Sequence, residues 1–120
     1  MSETTIPEHV RKFLHKHIHS VEQFEILMLL VREPIRFWSV KEMNQIICSN
    51  ESSVEARLRD LAKSGLLEVV PADDEIFRLQ PDCPEAPVLL EMDNLYKKRR
   101  LAVIEAIYAK APTRLNMPRS

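Results

Sequence analysis

Asn50-Glu-Ser-Ser-Val-Glu-Ala-Arg-Leu-Arg-Asp-Leu-Ala-Lys-Ser-Gly65-Leu-Leu-Glu-Val-Val70 decides how this chain folds. Val54, Leu58, Leu61 and Ala62 recur at helical spacing, and Asn50 is a helix-capping residue. Gly65, the only glycine among 120 residues, follows directly. Glycine enters left-handed backbone angles without a Cβ penalty, so it commonly stands just past a helix end. Leu67 and Val69 then alternate with Glu68, the period of a strand. The stretch therefore predicts a helix, a sharp stop at Gly65, and a strand.

Downstream, Phe77 and Leu79 alternate with Arg78, and Pro71-Ala-Asp-Asp74 between the two runs has turn chemistry. A two-stranded hairpin is expected. Upstream, Ser39-Val-Lys-Glu42 has the capping-box form, with Trp38 and Met43 placed for a hydrophobic staple. It opens a short helix over about residues 40–48, with Val40, Met43, Ile46 and Ile47 as its apolar set. Cys48-Ser-Asn50 is the turn before the next helix. Ser20-Val-Glu-Gln23 is another capping box, followed by Phe24, Leu27, Met28 and Val31 and closed by Glu33-Pro34. Thr5-Ile-Pro-Glu8 has the same form, with Pro7 expected in the first turn and Ile6, Val10, Phe13, Leu14 and His17 at helical spacing.

Pro81, Pro84 and Pro87 mark a break, and residues 88 to about 110 contain neither glycine nor proline. One helix there would be roughly 35 Å long, at about 1.5 Å per residue. The expected organisation is a helical extension over residues 1–19 and a compact unit over 20–80. A Pro-rich connection over 81–87, a C-terminal helix over 88–112 and a tail over 113–120 complete it. No internal repeat or low-complexity segment interrupts this order.

The unit over residues 20–80 resembles a winged helix-turn-helix domain of the kind found in bacterial transcription regulators. Residues 24–31 match the first core helix, 39–48 the second, 50–64 the recognition helix, and 66–79 the wing. The most specific piece is Val54-x3-Leu58-x2-Leu61-x3-Gly65-Leu66-Leu67. The flanking helices loosely resemble the dimeric arrangement of regulators related to the MarR and PadR groups. The fold expected from the resemblance is mainly α with a small β-hairpin, a winged helix-turn-helix with flanking N- and C-terminal helices. It implies a DNA-binding transcriptional regulator, dimeric through those helices, with duplex DNA as partner.

Placing the helix residues at about 100° per residue puts Ser52, Ala56, Arg59 and Lys63 on the outer face, with Asp60 and Ser53 beside them and Arg57 on the flank. Arginine pairs with guanine edges, and serine and lysine contact phosphates. The expected DNA contacts are Ser52, Ser53, Arg57, Arg59 and Lys63, with Arg78 on the wing. Charge opposes this. Residues 35–80 carry six basic and eight acidic side chains, and the hairpin tip reads Asp73-Asp74-Glu75. Phosphate neutralisation supplies most non-specific affinity, so a net −2 on this segment favours an alternative. That alternative is a winged-helix protein-interaction module that does not touch DNA. Lys97-Lys-Arg-Arg100 compensates only if a dimer brings it to the duplex; otherwise it is a solvated face.

Other chemistry is sparse. The chain carries 45% hydrophobic and 29% charged residues, a formal net charge of −1, and no apolar stretch near the roughly 20 residues of a membrane span. Met-Ser-Glu-Thr-Thr lacks the features of a signal peptide, so the expected location is the cytoplasm, with Cys48 and Cys83 as reduced thiols. His15 and His19 have the i, i+4 spacing of metal ligands but no third ligand nearby, and His17 falls on the apolar stripe. No metal or cofactor is expected. One glycine leaves little scope for a phosphate-cradling loop, and no nucleophile–base constellation is visible; an enzyme is not expected. Leu101-Ala-Val-Ile-Glu-Ala-Ile-Tyr-Ala109 is apolar nearly all round, which calls for burial on several sides, in its own domain or against a second subunit.

Overall fold

A computed structural model describes residues 6–109. The described chain is mainly helical with one small antiparallel sheet. Its elements are α1 (Glu8–His17), α2 (Val21–Arg32), β1 (Trp38–Ser39), α3 (Val40–Ile47), α4 (Glu51–Lys63), β2 (Leu67–Val70), β3 (Ile76–Leu79), α5 (Ala86–Lys98) and α6 (Arg100–Ala109).

The centre is built from local signals. Ser20 caps α2 by accepting from the Gln23 N–H, and Asn50 caps α4 by accepting from the Ser53 N–H at 2.8 Å. Ser39 and Glu42 form the complete reciprocal box at the start of α3. At Ser20 the box differs from expectation. Gln23 reaches one residue further back and accepts from the His19 N–H at 2.6 Å.

The end of α4 is a Schellman motif. Gly65 has φ +86°; its N–H donates to the Ala62 carbonyl at 3.0 Å, and the Leu66 N–H donates to the Leu61 carbonyl at 3.1 Å. The turn drives Leu66 and Leu67 into the core, at 1% and 3% exposure. Between α3 and α4 the reversal is made by Cys48, whose φ of 61° is the only positive value on a non-glycine described residue.

The sheet exceeds the expected hairpin by one strand. The expected hairpin forms, with Glu68 opposite Arg78 and Val69 opposite Phe77. A third, two-residue strand joins its other side, Trp38 opposite Phe77 and Ser39 opposite Ile76, giving the order β1-β3-β2. Trp38 thus serves the sheet. It and Met43 both lie in the core. On α3, Ile46 is 57% exposed rather than part of the apolar face. It stands about 60° around the helix from Met43, at roughly 100° per residue, and α3 buries only the narrow stripe centred on Met43.

The flanking helices depart most from expectation. The described part of the expected C-terminal helix, residues 88 to 109, is not one helix. The C-terminal region starts at Ala86, with Pro87 in the first turn, and breaks at Arg99, whose φ/ψ of −139°/57° is not helical. The Arg99 N–H still donates to the Leu95 carbonyl, and the Arg99 carbonyl accepts from Val103, so the residue closes α5 and opens α6. Neither glycine nor proline dictates the break. Packing does: α5 lies against α1 and α2, and the bend lets α6 return to α1, burying Val103, Ala106 and Ile107. The final residues expected in this helix, and Thr5 at the chain's other end, lie outside the described residues. Pro7, expected inside the first turn of α1, is its N-cap and supplies no side-chain bond.

The core is continuous from Ile6 through Phe24, Trp38, Leu58 and Phe77 to Ile107. Each fully buried Leu, Ile or Phe contributes roughly 1.5–3 kcal/mol relative to exposure. His17 sits within it, 5% exposed, its ring 4.5 Å from that of Phe13. Burial, with smaller contributions from Lys16 and His19 against an opposing one from Glu85, holds its pKa below the ordinary value.

Two outcomes follow from these placements. Gly65→Ala forces a Cβ into left-handed backbone; open space surrounds the site, so the loss is conformational, about 1–2 kcal/mol in a urea titration. For His17, a depressed folded pKa means its stabilising effect is complete above the unfolded value near 6.5 and is lost as pH falls. Unfolding free energy should decline below about pH 6.5, and His17→Gln should flatten that part of the profile.

Candidate nucleic-acid interface

The fold places α4 and the β2–β3 hairpin side by side, with the outer face of α4 open to solvent. Ser52, Ala56, Arg59 and Lys63 are exposed there, as the helical angles require. Between α3, α4 and the hairpin lies an open cavity of about 400 Å³. Its wall carries two cations, Lys41 and Arg59, and five carboxylates, Glu51, Glu55, Asp73, Asp74 and Glu75.

The six expected contact residues separate into two groups. Ser52 and Lys63 are exposed, and Lys63 has no ion pair among the described residues. The other four are engaged within the chain. Ser53 Oγ donates to Glu22 Oε1 at 2.8 Å, tying α4 to α2. Arg57 lies 3.6 Å from Asp60 at i, i+3, and its Nε is buried without a hydrogen-bond partner. Arg78 donates to Glu68 across the hairpin at 2.9 Å, and its guanidinium stacks 4.5 Å from the Phe37 ring centre.

Arg59 is the most constrained. Its Nε donates to Glu55 Oε2 at 3.0 Å, one helical turn earlier, and its Nη2 donates to Glu75 Oε1 at the hairpin tip. Its hydrogen bonds to Glu75 and then to Glu55 raise its pKa above the ordinary arginine value. The hairpin tip thus folds back and joins the outer face of α4 through one guanidinium.

Sequence reasoning missed the carboxylate partners. Glu55 was accessible from its i, i+4 spacing, and Glu68 from the cross-strand register. Glu75 and Glu22 belong to other elements and carry no local signal.

At the α5–α6 break, Lys97 pairs with Asp93 at 3.4 Å and Arg100 with Glu25 at 3.6 Å. Lys98 and Arg99 have no ion pair among the described residues. Asp93 is buried and receives Arg32 through Nε at 3.0 Å and Nη2 at 2.8 Å, which fastens α2 to α5.

The remaining groups have local roles. His9 pairs with Glu91, while α1 ends at His17, so His15 and His19 do not share a helix face. Among the described residues no group of three His, Cys, Asp or Glu side chains is placed to hold a metal ion. Both cysteines are free thiols. Cys83 is buried, which pushes its pKa up, and its Sγ faces Glu85 Oε1 at 3.7 Å; exposed Cys48 contacts the Gln45 carbonyl. No described helix is long and apolar enough to cross a membrane. Compared with known proteins, the chain matches no family model, no curated protein and no solved structure.

The contact between Ser53 and Glu22 makes a separable prediction. Glu22 Oε2 is already buried without a partner. Removing the hydroxyl that serves Oε1 leaves the carboxylate poorer still, so Ser53→Ala should lower unfolding free energy by about 1–3 kcal/mol in thermal or denaturant melts.

Proposed function

We propose that this chain is a DNA-binding transcriptional regulator of the winged helix-turn-helix kind, acting in the cytoplasm as a homodimer. It works by binding rather than catalysis. The observation that carries the reading is the order of elements around α4: α3 and α4, capped by Ser39 and Asn50, with the outer face of α4 exposed beside a hairpin. In this reading α4 enters the major groove and the hairpin flanks it.

Lys63 and Ser52 are the contacts free to meet phosphates directly. Arg59 joins them when it leaves its carboxylates. Ser53, Arg57 and Arg78 support the shape of the surface through their own partners. The second subunit would cover the apolar side chains left on the terminal helices, where Leu90, Leu101 and Tyr108 are 58%, 74% and 64% exposed. Lys98 and Arg99 would then add positive charge at the edge of the dimer.

A second reading is favoured by the five carboxylates around the cavity beside α4. They suit a basic protein segment better than a nucleic acid, and make the chain a protein-interaction module. Pull-down from native lysate separates the two readings: a stoichiometric protein partner without DNA supports the module.

A titration with genomic duplex DNA at several salt concentrations tests the first reading. Affinity should fall with salt, and Lys63→Ala should weaken binding across all sequences while reducing the log–log salt slope by about 0.9. Absence of binding at low salt, or binding indifferent to salt, overturns it. Light scattering tests the assembly separately, and a monomer at tens of micromolar, on the order of ordinary working concentrations for weak dimers, removes the dimer from the proposal.

A further inference from the structure

Arg59 is exposed, yet its fork is occupied from two sides. Glu55 holds Nε at 3.0 Å from the same helix, and Glu75 holds Nη2 from the hairpin tip. Phe77 lies beneath, with its ring centre 5.9 Å from the guanidinium carbon. A carboxylate presents a guanidinium with the same geometry of acceptor oxygens that a phosphate does.

We propose that Glu75, assisted by Glu55, is an internal stand-in for a DNA phosphate. Resting on the DNA-binding reading above, the contact is an autoinhibitory latch: duplex DNA gains Arg59 only by displacing the hairpin tip. The hairpin needs no such latch for its own shape, since the Schellman turn at Gly65 and the β2–β3 ladder already fix it. Exposed ion pairs are also weak, so the latch is easily opened by a ligand with many charges. Duplex DNA is such a ligand, with one negative charge per roughly 1.7 Å of axis.

The competing explanation is general charge: removal of any carboxylate near DNA raises affinity. Asp74 provides the control. It belongs to the same loop and the same cavity wall but makes no ion pair among the described residues. The experiment is a fluorescence-anisotropy titration of sheared genomic duplex DNA over a range of salt. The proteins are the full chain and its Glu75→Gln, Asp74→Asn, Arg59→Gln and Glu75→Gln/Arg59→Gln variants, each checked for folding by its thermal melt.

Glu75→Gln should tighten binding about fivefold at low salt, the scale of one exposed ion pair, and the gain should shrink as salt screens that pair. Asp74→Asn should tighten it about twofold at most, the scale of a screened charge. In the Arg59→Gln background the gain from Glu75→Gln should shrink to that same size, because the cycle isolates the pair. Equal gains from Glu75→Gln and Asp74→Asn, or a gain that survives the loss of Arg59, overturn the latch while leaving the DNA-binding reading in place. If neither the unaltered chain nor any variant binds at low salt, the DNA-binding reading fails and the latch fails with it. Should Arg59→Gln not fold, Arg59→Met serves in its place, since it keeps an unbranched stem and removes the charge that pairs with Glu75.

Discussion

The backbone angle at Gly65 is the constraint on which the rest of the central unit depends. Left-handed φ lets two carbonyls of the last α4 turn find donors within the next two residues. It also reverses the chain within one residue, so Leu66 enters the core and β2 starts at once. A slower turn would displace the hairpin along α4. The tip carboxylates would then no longer reach the outer face of the helix, and the pairing of Glu75 with Arg59 would be lost.

Charge on that face is organised differently from its composition. A count of side chains gives near balance on α4 and an acid excess on the hairpin. The structure converts that near balance into specific pairs, so most of the positive charge is engaged before any partner arrives. Exposed pairs of this kind contribute at most about 1 kcal/mol each to stability. Their larger effect is on what the surface offers. Beside that face Lys41 and Lys63 have no ion pair among the described residues, and Lys98 and Arg99 have none at the α5–α6 break.

The central elements were legible because their signals are local. A capping residue, an apolar repeat and a single glycine act within a few positions of one another, and caps and turns follow local backbone chemistry. The short β1 strand was not legible, since two residues carry no period. The break at Arg99 was hidden for a different reason. Helix propensity there is high, and only the pull of α1 on Val103, Ala106 and Ile107 makes two helices better than one. At the candidate site the exposed face was readable from helical angles. The partners of Ser53 and Arg59 were not, because Glu22 and Glu75 arrive through tertiary structure.

The packing of α1 also carries a consequence for the order in which the chain can fold. Its apolar face, Val10, Phe13 and Leu14, rests against α5 and α6, although these are nearly the last described residues to be synthesised. Contacts of such long sequence separation form late, after the entropy of closing the intervening chain has been met. On a ribosome, α2 through β3 can therefore settle first, while α1 waits for α5 and α6. During that interval its greasy side has no native cover, and the growing chain is most exposed to chaperones and to aggregation.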